Sequence, residues 1–234
     1  MSDTQAAIFS ALGIAFCFSL NLIPIKSLLR AKKTKDLKEI SQLYLLVSAF
    51  NYASWLSYAI KMNQTGNWIN NSICLILDLS WVIFYHVIKS DWKSFVPIFI
   101  ILLGCIEVAL FMLFPAYVIG FFAIACAISL YAAPIEQLGY VFKLKDHKYI
   151  DVLITSALIV TAGSWLLYGV AVKDWIIIGP NIAGIAFAIF QEIVYFWARG
   201  VIPCPIFTCL QNKMAKKPLI TSEEKSEEIQ KDLV

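Results

Sequence analysis

Apolar residues run through this chain in seven long blocks separated by short polar breaks, at 6–29, 41–60, 68–88, 94–114, 117–141, 150–172 and 175–198. Each is about the 20 residues that an α-helix needs to cross the roughly 30 Å hydrocarbon core of a bilayer. The pattern predicts seven transmembrane helices with short connections, so all substantial chain mass lies in or at the membrane. The start, Met1-Ser2-Asp3-Thr4-Gln5, lacks the basic region of a cleavable signal, and the first apolar block is too long for one.

The blocks are not independent. Residue i and residue i+110 agree repeatedly without a gap: Ser19-Leu20 with Ser129-Leu130, Pro24-Ile25 with Pro134-Ile135, Lys35-Asp36 with Lys145-Asp146, Ser54-Trp55-Leu56 with Ser164-Trp165-Leu166, Tyr58 with Tyr168, Asn71 with Asn181, and Tyr85 with Tyr195. Rare residue types carry the match, so it predicts an internal duplication. Spans one to three equal spans five to seven, and span four is unpaired. A three-span unit ends on the opposite side from its start, so one extra span restores the orientation of the second copy. The expected architecture is all-α: two parallel three-helix repeats, 1–92 and 117–200, a linker helix at 93–116, and a disordered tail at 201–234.

Charge sets the expected orientation. Arg30, Lys32, Lys33, Lys35 and Lys38 fill the first connection, Lys89 and Lys93 the third, and Lys143, Lys145 and Lys148 the fifth. The opposite side has Lys61 and Lys173. This bias places the N-terminus outside or in a lumen and the C-terminus in the cytoplasm. Composition agrees with a membrane protein, at 60% hydrophobic and 15% charged. A net charge of +3 gives no reason to expect a nucleic-acid partner. Four of the six Cys lie in spans, and Cys204 and Cys209 follow the last one as inert thiols or palmitoylation sites. His86 and His147 are expected at the solvated cytoplasmic surface. No arrangement of His, Cys, Asp and Glu suggests a metal site or cofactor, and no nucleophile–base spacing suggests an enzyme.

Polar side chains inside a bilayer are costly and usually face the bundle interior. Asn71, Asp78 and Tyr85 lie seven residues apart, on nearly one helical face. Asn181, Gly184, Ala188 and Tyr195 form the matching stripe on span seven, with Gln191 and Glu192 nearby. Trp55 and Trp165 each precede their Asn by 16 residues. Indole planes suit the C–H faces of a sugar and amides suit its hydroxyls, so Trp55, Trp165, Asn71 and Asn181 are the candidate binding set. Pro24 and Pro134 loosen spans one and five at equivalent depth and are candidate hinges. Asp78 is either a proton-carrying acid or a structural one; its repeat partner is Ala188. Glu107 is a lone acid in span four, expected to face protein or a polar defect.

These residues resemble the SWEET family of sugar transporters. Trp165-Leu-Leu-Tyr168-Gly169, Asp174, Pro180-Asn181-Ile-Ala-Gly184, Gln191 and Tyr195 are similar to its second-repeat signature, and Tyr131-Ala-Ala-Pro134-Ile135 with Lys143 and Lys145 to its span-five motif. In the first repeat Pro24, Asn51, Trp55, Tyr58, Asn71, Asp78 and Tyr85 fall where similar family residues are expected. The resemblance implies facilitative, bidirectional movement of a mono- or disaccharide by alternating access, without cofactor. It implies a site at the Asn and Trp pairs, and an outer gate of Tyr58 and Asp174. It also implies four prolines near the cytoplasmic ends, of which two are absent, with Tyr44 and Asp151 in their places. The Trp–Asn pair in both halves is similar to half-size bacterial relatives that act as dimers, and a homo-oligomer is compatible with the sequence. Residence in the plasma membrane or an endomembrane is expected, with membrane lipid as the surrounding partner.

Two rival readings share the architecture. A proton-coupled PQ-loop carrier of an amino acid would use an acid such as Asp78, but Ile follows both Pro24 and Pro134 where such carriers have Gln. A seven-helix receptor fits the span count but not the parallel repeat, and a cargo receptor of similar fold would want more charge in its cavity.

Overall fold

The structure, a computed structural model, describes residues 3–37, 40–130 and 132–214. The described residues form ten α-helices: α1 Asp3–Asn21, α2 Pro24–Thr34, α3 Gln42–Lys61, α4 Thr65–Lys89, α5 Trp92–Leu113, α6 Ala116–Ser129, α7 Ala132–Leu144, α8 Val152–Val172, α9 Trp175–Ala198 and α10 Pro205–Met214. Among the described residues, five helical stretches are long and apolar enough to cross a membrane; α3 and the short apolar α6 fall outside that set. Helix α3 does so because its inner face is polar: Ser48, Asn51, Ser54 and Ser57 are all buried against protein. Side chains such as Ile76, Ile98, Ile101 and Leu153 project outward, as a lipid-facing surface requires.

Spans one and five, expected to be loosened at Pro24 and Pro134, are each broken at equivalent depth. The chain turns at Leu22-Ile23 and restarts as α2 with Pro24 in its first turn. The second break separates α6 from α7, and Pro134 follows it in the first turn of α7. Proline has no N–H and Ile25 N turns to Leu22 O at 3.1 Å, so the Asn21 carbonyl lacks its helical donor. The Trp81 indole on α4 donates to that carbonyl at 3.0 Å, and Asn21 Nδ2 donates to the Tyr52 hydroxyl on α3 at 2.8 Å. Neighbouring spans thus satisfy the break, as a bilayer interior demands.

The repeat is visible in the backbone. The left-handed residues Lys35, Asn63 and Ser90 match Lys145, Lys173 and Gly200, each pair 110 positions apart. The packing is equally paired. Helix α1 lies against α4 of its own half and α8 of the other; α6 lies against α9 of its own half and α3 of the other. Helix α5 packs mainly on α3 and α4, so the linker rides with the first half. Glu107 fastens it there, accepting from Ser54 Oγ at 2.6 Å and Ser57 Oγ at 2.9 Å in a buried contact.

The two ends of the bundle differ. At the end carrying the N-terminus, here the N-face, one apolar cluster joins both halves: Tyr58, Ile119, Trp165, Tyr168 and Ile177, with Phe9 and Ile176 against them. At the opposite end, the tail face, there are two separate cores. Leu28, Leu45, Val82, Tyr85 and Phe99 form one wholly within the first half and α5. Leu138, Val141, Phe142, Ile150, Val194 and Trp197 form the other within the second half. The halves are therefore closed together at the N-face and independent at the tail face.

Two expectations need correction. Residues 205–214 of the supposed disordered tail are helical: Phe207 of α10 packs on Phe142, Phe190 and Trp197, and the Trp197 indole donates to Thr208 Oγ1 at 3.3 Å. The rest of the tail, 215–234, lies outside the described residues. His86 is not solvated but buried, stacked on Phe95 at 4.0 Å with Nδ1 2.7 Å from Asp91. The aromatic face of α5 takes the ring, while Asp91 at the helix junction takes its nitrogen. Asp91 itself lies outside the spans; slight desolvation raises its pKa, and the His86 and Lys89 contacts outweigh that and hold it below the usual carboxylate range.

Removing Glu107 leaves two buried serine hydroxyls to fall back on their own helix. Glu107→Ala is expected to cost about 1–2 kcal/mol, read as a lower unfolding temperature in detergent. Glu107→Gln, which keeps an acceptor, should cost less than half as much. Equal stability of all three proteins would show that the serine pair does not hold the linker.

Candidate functional site

Beneath the N-face cluster lies a cavity of about 250 Å³. The two Trp and two Asn singled out by the repeat all line it, together with Asn51, Tyr52, Asn67, Asn70, Cys17, Thr161 and apolar positions of α8 and α9. It forms where α3 and α4 face α8 and α9. Small residues on the first helix of each half allow this approach. A Cβ on Gly13 of α1 would lie 2.8 Å from the Trp165 ring, and one on Gly120 of α6 would lie 2.7 Å from Ile176 and 3.0 Å from Tyr58. Each Trp is braced edge-on by the Tyr one turn nearer the N-face: Trp55 on Tyr58 at 5.7 Å, Trp165 on Tyr168 at 5.4 Å. The indoles are thereby held as walls rather than left to lie along lipid.

The amides are just as constrained. Asn71 Nδ2 donates to both the backbone and side-chain oxygens of Asn67, each at 2.8 Å. With both hydrogens used, Asn71 Oδ1 is the atom left to act, and it is an acceptor. Asn181 Nδ2 donates to Ile177 O at 2.7 Å, which also turns its oxygen away from its own helix. Asn51 Oδ1 is buried without a hydrogen-bond partner. The polar equipment is lopsided: Asn51, Tyr52, Asn67 and Asn70 of the first half correspond to Thr161, Ala162, Ile177 and Pro180 of the second.

Above the cavity, Tyr58 Oη donates to Asp174 Oδ2 at 2.7 Å, joining α3 of one half to α9 of the other. Gln64 Nε2 donates to the same oxygen at 2.5 Å, and Asp174 Oδ1 caps α9 by accepting from Ile176 N at 2.9 Å. All three side chains are buried. The bond links the two halves at the N-face.

The other sequence-selected residues lie elsewhere. Asp78 is buried in the first half with Oδ2 unpartnered, and Tyr85 belongs to the core of that half; neither lines the cavity. Ala188 and Tyr195 are likewise absent from its wall, and Glu192 accepts from Ser156 Oγ at 2.7 Å on the neighbouring α8. At the two positions lacking proline, Tyr44 is half exposed in the first turn of α3, while Asp151 caps α8 by accepting from Leu153 N at 3.0 Å. Gln64, Asn67 and Asn70 were missed. The signal was present: Gln64, Asn67, Asn71, Cys74 and Asp78 recur at helical spacing, and Gln64 is the repeat partner of Asp174.

The profile of the MtN3_slv family, described as "Sugar efflux transporter for intercellular exchange", matches residues 7–93 and 117–199. The chain is 24% identical to "Bidirectional sugar transporter SWEET10" of Arabidopsis thaliana, over 81% of this chain and 70% of that protein. It is 25% identical to "Bidirectional sugar transporter SWEET13" of Oryza sativa subsp. japonica, over 92% and 75%. The fold is similar to that of a eukaryotic SWEET transporter solved at 3.7 Å, with a TM-score of 0.75 over 85% of this chain and 98% of that one, at 19% identity. With both copies of the profile laid over the two halves of a seven-span bundle, this chain belongs to the SWEET family of membrane sugar transporters.

Proposed function

We propose that this protein is a uniporter that moves a monosaccharide in either direction across its membrane by alternating access. The observation that carries this is one cavity with an indole and an amide from each half, near a buried bond that joins the two halves. A pyranose offers C–H faces and a rim of O–H donors. Two indole walls suit the first, and acceptors at Asn71, Asn181 and Asn51 suit the second. The cavity is below the roughly 300–1,000 Å³ typical of drug-sized ligands, which favours one sugar ring over two. The relatives named as bidirectional sugar transporters support the same class of cargo.

The basic residues of the tail face make it cytoplasmic, so the closed N-face is the outer one and the state is inward-facing. In the proposed cycle the Tyr58–Asp174 bond is the outer gate. The separate tail-face cores let the halves swing together there, and the breaks at Pro24 and Pro134 take up the bending. Asp78 acts structurally in this scheme, because its side chain is buried in the first half and does not line the cavity. Downhill exchange needs no cofactor.

Asn181→Ala removes an acceptor but no span. It should lower labelled glucose uptake into proteoliposomes at least tenfold while leaving membrane insertion intact, and normal uptake would overturn the assignment of the cavity. Pro134→Ala restores a backbone donor beside the break in span five. Its flux should fall several-fold more than its glucose affinity; equal losses would argue against a hinge. Asp78→Asn should leave the pH dependence of uptake unchanged, measured at two pH values with glucose and cystine side by side. Proton-dependent cystine uptake that disappears in Asp78→Asn would instead favour the coupled amino acid carrier.

A further inference from the structure

The Asn71 amide and the outer gate are joined by an unbroken line of buried side chains. Asn71 Nδ2 donates to Asn67 Oδ1 at 2.8 Å, Asn67 Nδ2 donates to Gln64 Oε1 at 2.9 Å, and Gln64 Nε2 donates to Asp174 Oδ2 at 2.5 Å. The residues occupy one face of α4 and its N-terminal cap, and they span about 10 Å along the helix axis. Every bond points the same way, from the cavity to the gate carboxylate. We propose that Gln64 and Asn67 are positioning residues that transmit the state of the cavity to the outer gate. This rests on the cavity and gate assignments above.

The direction of the line follows from chemistry at its end. Asp174 has only acceptors to offer, so Gln64 must present its NH₂ there and its oxygen towards α4. Asn67 must then turn its own NH₂ to that oxygen, leaving Asn67 Oδ1 to accept from Asn71. Asn71 is left with Oδ1 facing the cavity. A single carboxylate thus orients three amides, and reversing any one of them would set donor against donor or acceptor against acceptor. A hydroxyl donated to Asn71 Oδ1 polarises the chain in the sense it already has, and hydrogen bonds in series at low dielectric strengthen one another. A ligand lacking a donor leaves the line unsupported.

Gln64 matters for a second reason. It is the repeat equivalent of Asp174, and the two meet across the axis relating the halves. A strictly symmetric duplication with Asp at both positions would bring two carboxylates together, each needing a donor. One amide converts that clash into a bond and, because only the first half carries it, gives the line its direction.

The test uses the full chain in lipid nanodiscs, with the exposed Cys105 and Cys209 changed to Ser and spin labels at Met62→Cys and Trp175→Cys. These two exposed N-face positions lie on opposite halves. Without sugar, Asn71→Leu should raise the long-distance, gate-open population relative to the closed one by roughly three- to tenfold, the scale of one or two neutral hydrogen bonds. Gln64→Met should do the same. Adding Asn71→Leu to Gln64→Met should then change nothing further, because the line is already cut, and Asn67→Leu serves as a second cut if Gln64→Met does not fold. Additive effects, or an unchanged distribution in Asn71→Leu, overturn the proposal. With glucose, the closed population should rise in the parent and stay fixed in Gln64→Met, although tryptophan fluorescence still reports binding in both. A rise of equal size in Gln64→Met also overturns it. If glucose binds to neither protein, the sugar assignment fails, and the sugar-free distances still decide the line.

Discussion

A polar side chain inside a bilayer has no water to turn to, so it must be satisfied by the protein or by whatever the protein carries. This constraint explains most of the particular contacts in this chain. The break in span one frees the Asn21 carbonyl, and Trp81 reaches across to it. The acid of the linker helix finds two serines. The amides of α4 find one another and then Asp174. When these are accounted for, the acceptors that the cavity wall can offer include Asn51 Oδ1, buried without a partner, and the side-chain oxygens of Asn71 and Asn181, whose amide nitrogens are already engaged. A sugar hydroxyl is a donor that a bilayer-embedded cavity can admit without admitting charge.

The duplication supplies architecture and its defects supply chemistry. Backbone turns, helix breaks and the Trp–Tyr pairs recur at the same offset, so the scaffold is close to twofold. The contacts on the axis between the halves could not remain so. Gly66 meets Ser10 where the equivalent pair is Ile176 and Gly120: the small and large members have exchanged places while the combined fit is kept. Gln64 and Asp174 are the polar counterpart. A residue on a twofold axis meets its own copy, which suits two apolar groups but not two carboxylates, and divergence of one copy relieves it.

Much of this was legible in the sequence. The seven blocks, the offset and the Trp–Asn pairs depend on hydrophobicity and on rare residue types, which survive in one dimension. The same holds for Tyr58 and Asp174 once the family resemblance is drawn. What the sequence hid depends on rotation about the helix axis and on distance across the bundle. Asp78 shares a helical face with Asn71 over seven residues, yet the cavity ends before reaching it. His86 looked like a surface histidine because it lies within a turn of the end of its span, whereas its neighbour in space is Phe95. The short α10 helix is anchored by Phe207, Met214 and the Thr208 bond, too brief a pattern to register without Phe142 and Trp197 to receive it.

The uneven wall of the cavity bears on which half moves. Hydrogen bonds to a bound sugar would come mainly from the first half, where Asn51, Asn67, Asn70 and Asn71 cluster. The second half meets the same volume with Ile177, Pro180, Ala162 and Leu158, and with Asn181 as its one amide. Directional bonds resist sliding, because a small displacement loses most of their strength, whereas apolar contact is non-directional and tolerates it. In the proposed cycle the sugar therefore stays with the first half while the second slips past its apolar side. The linker helix is consistent with this division. It is fastened by Glu107 to the half that keeps the sugar, while α6 to α9 join that half through the α1–α8 and α3–α6 packing, the cluster around Tyr58 and Trp165, and the carboxylate of Asp174.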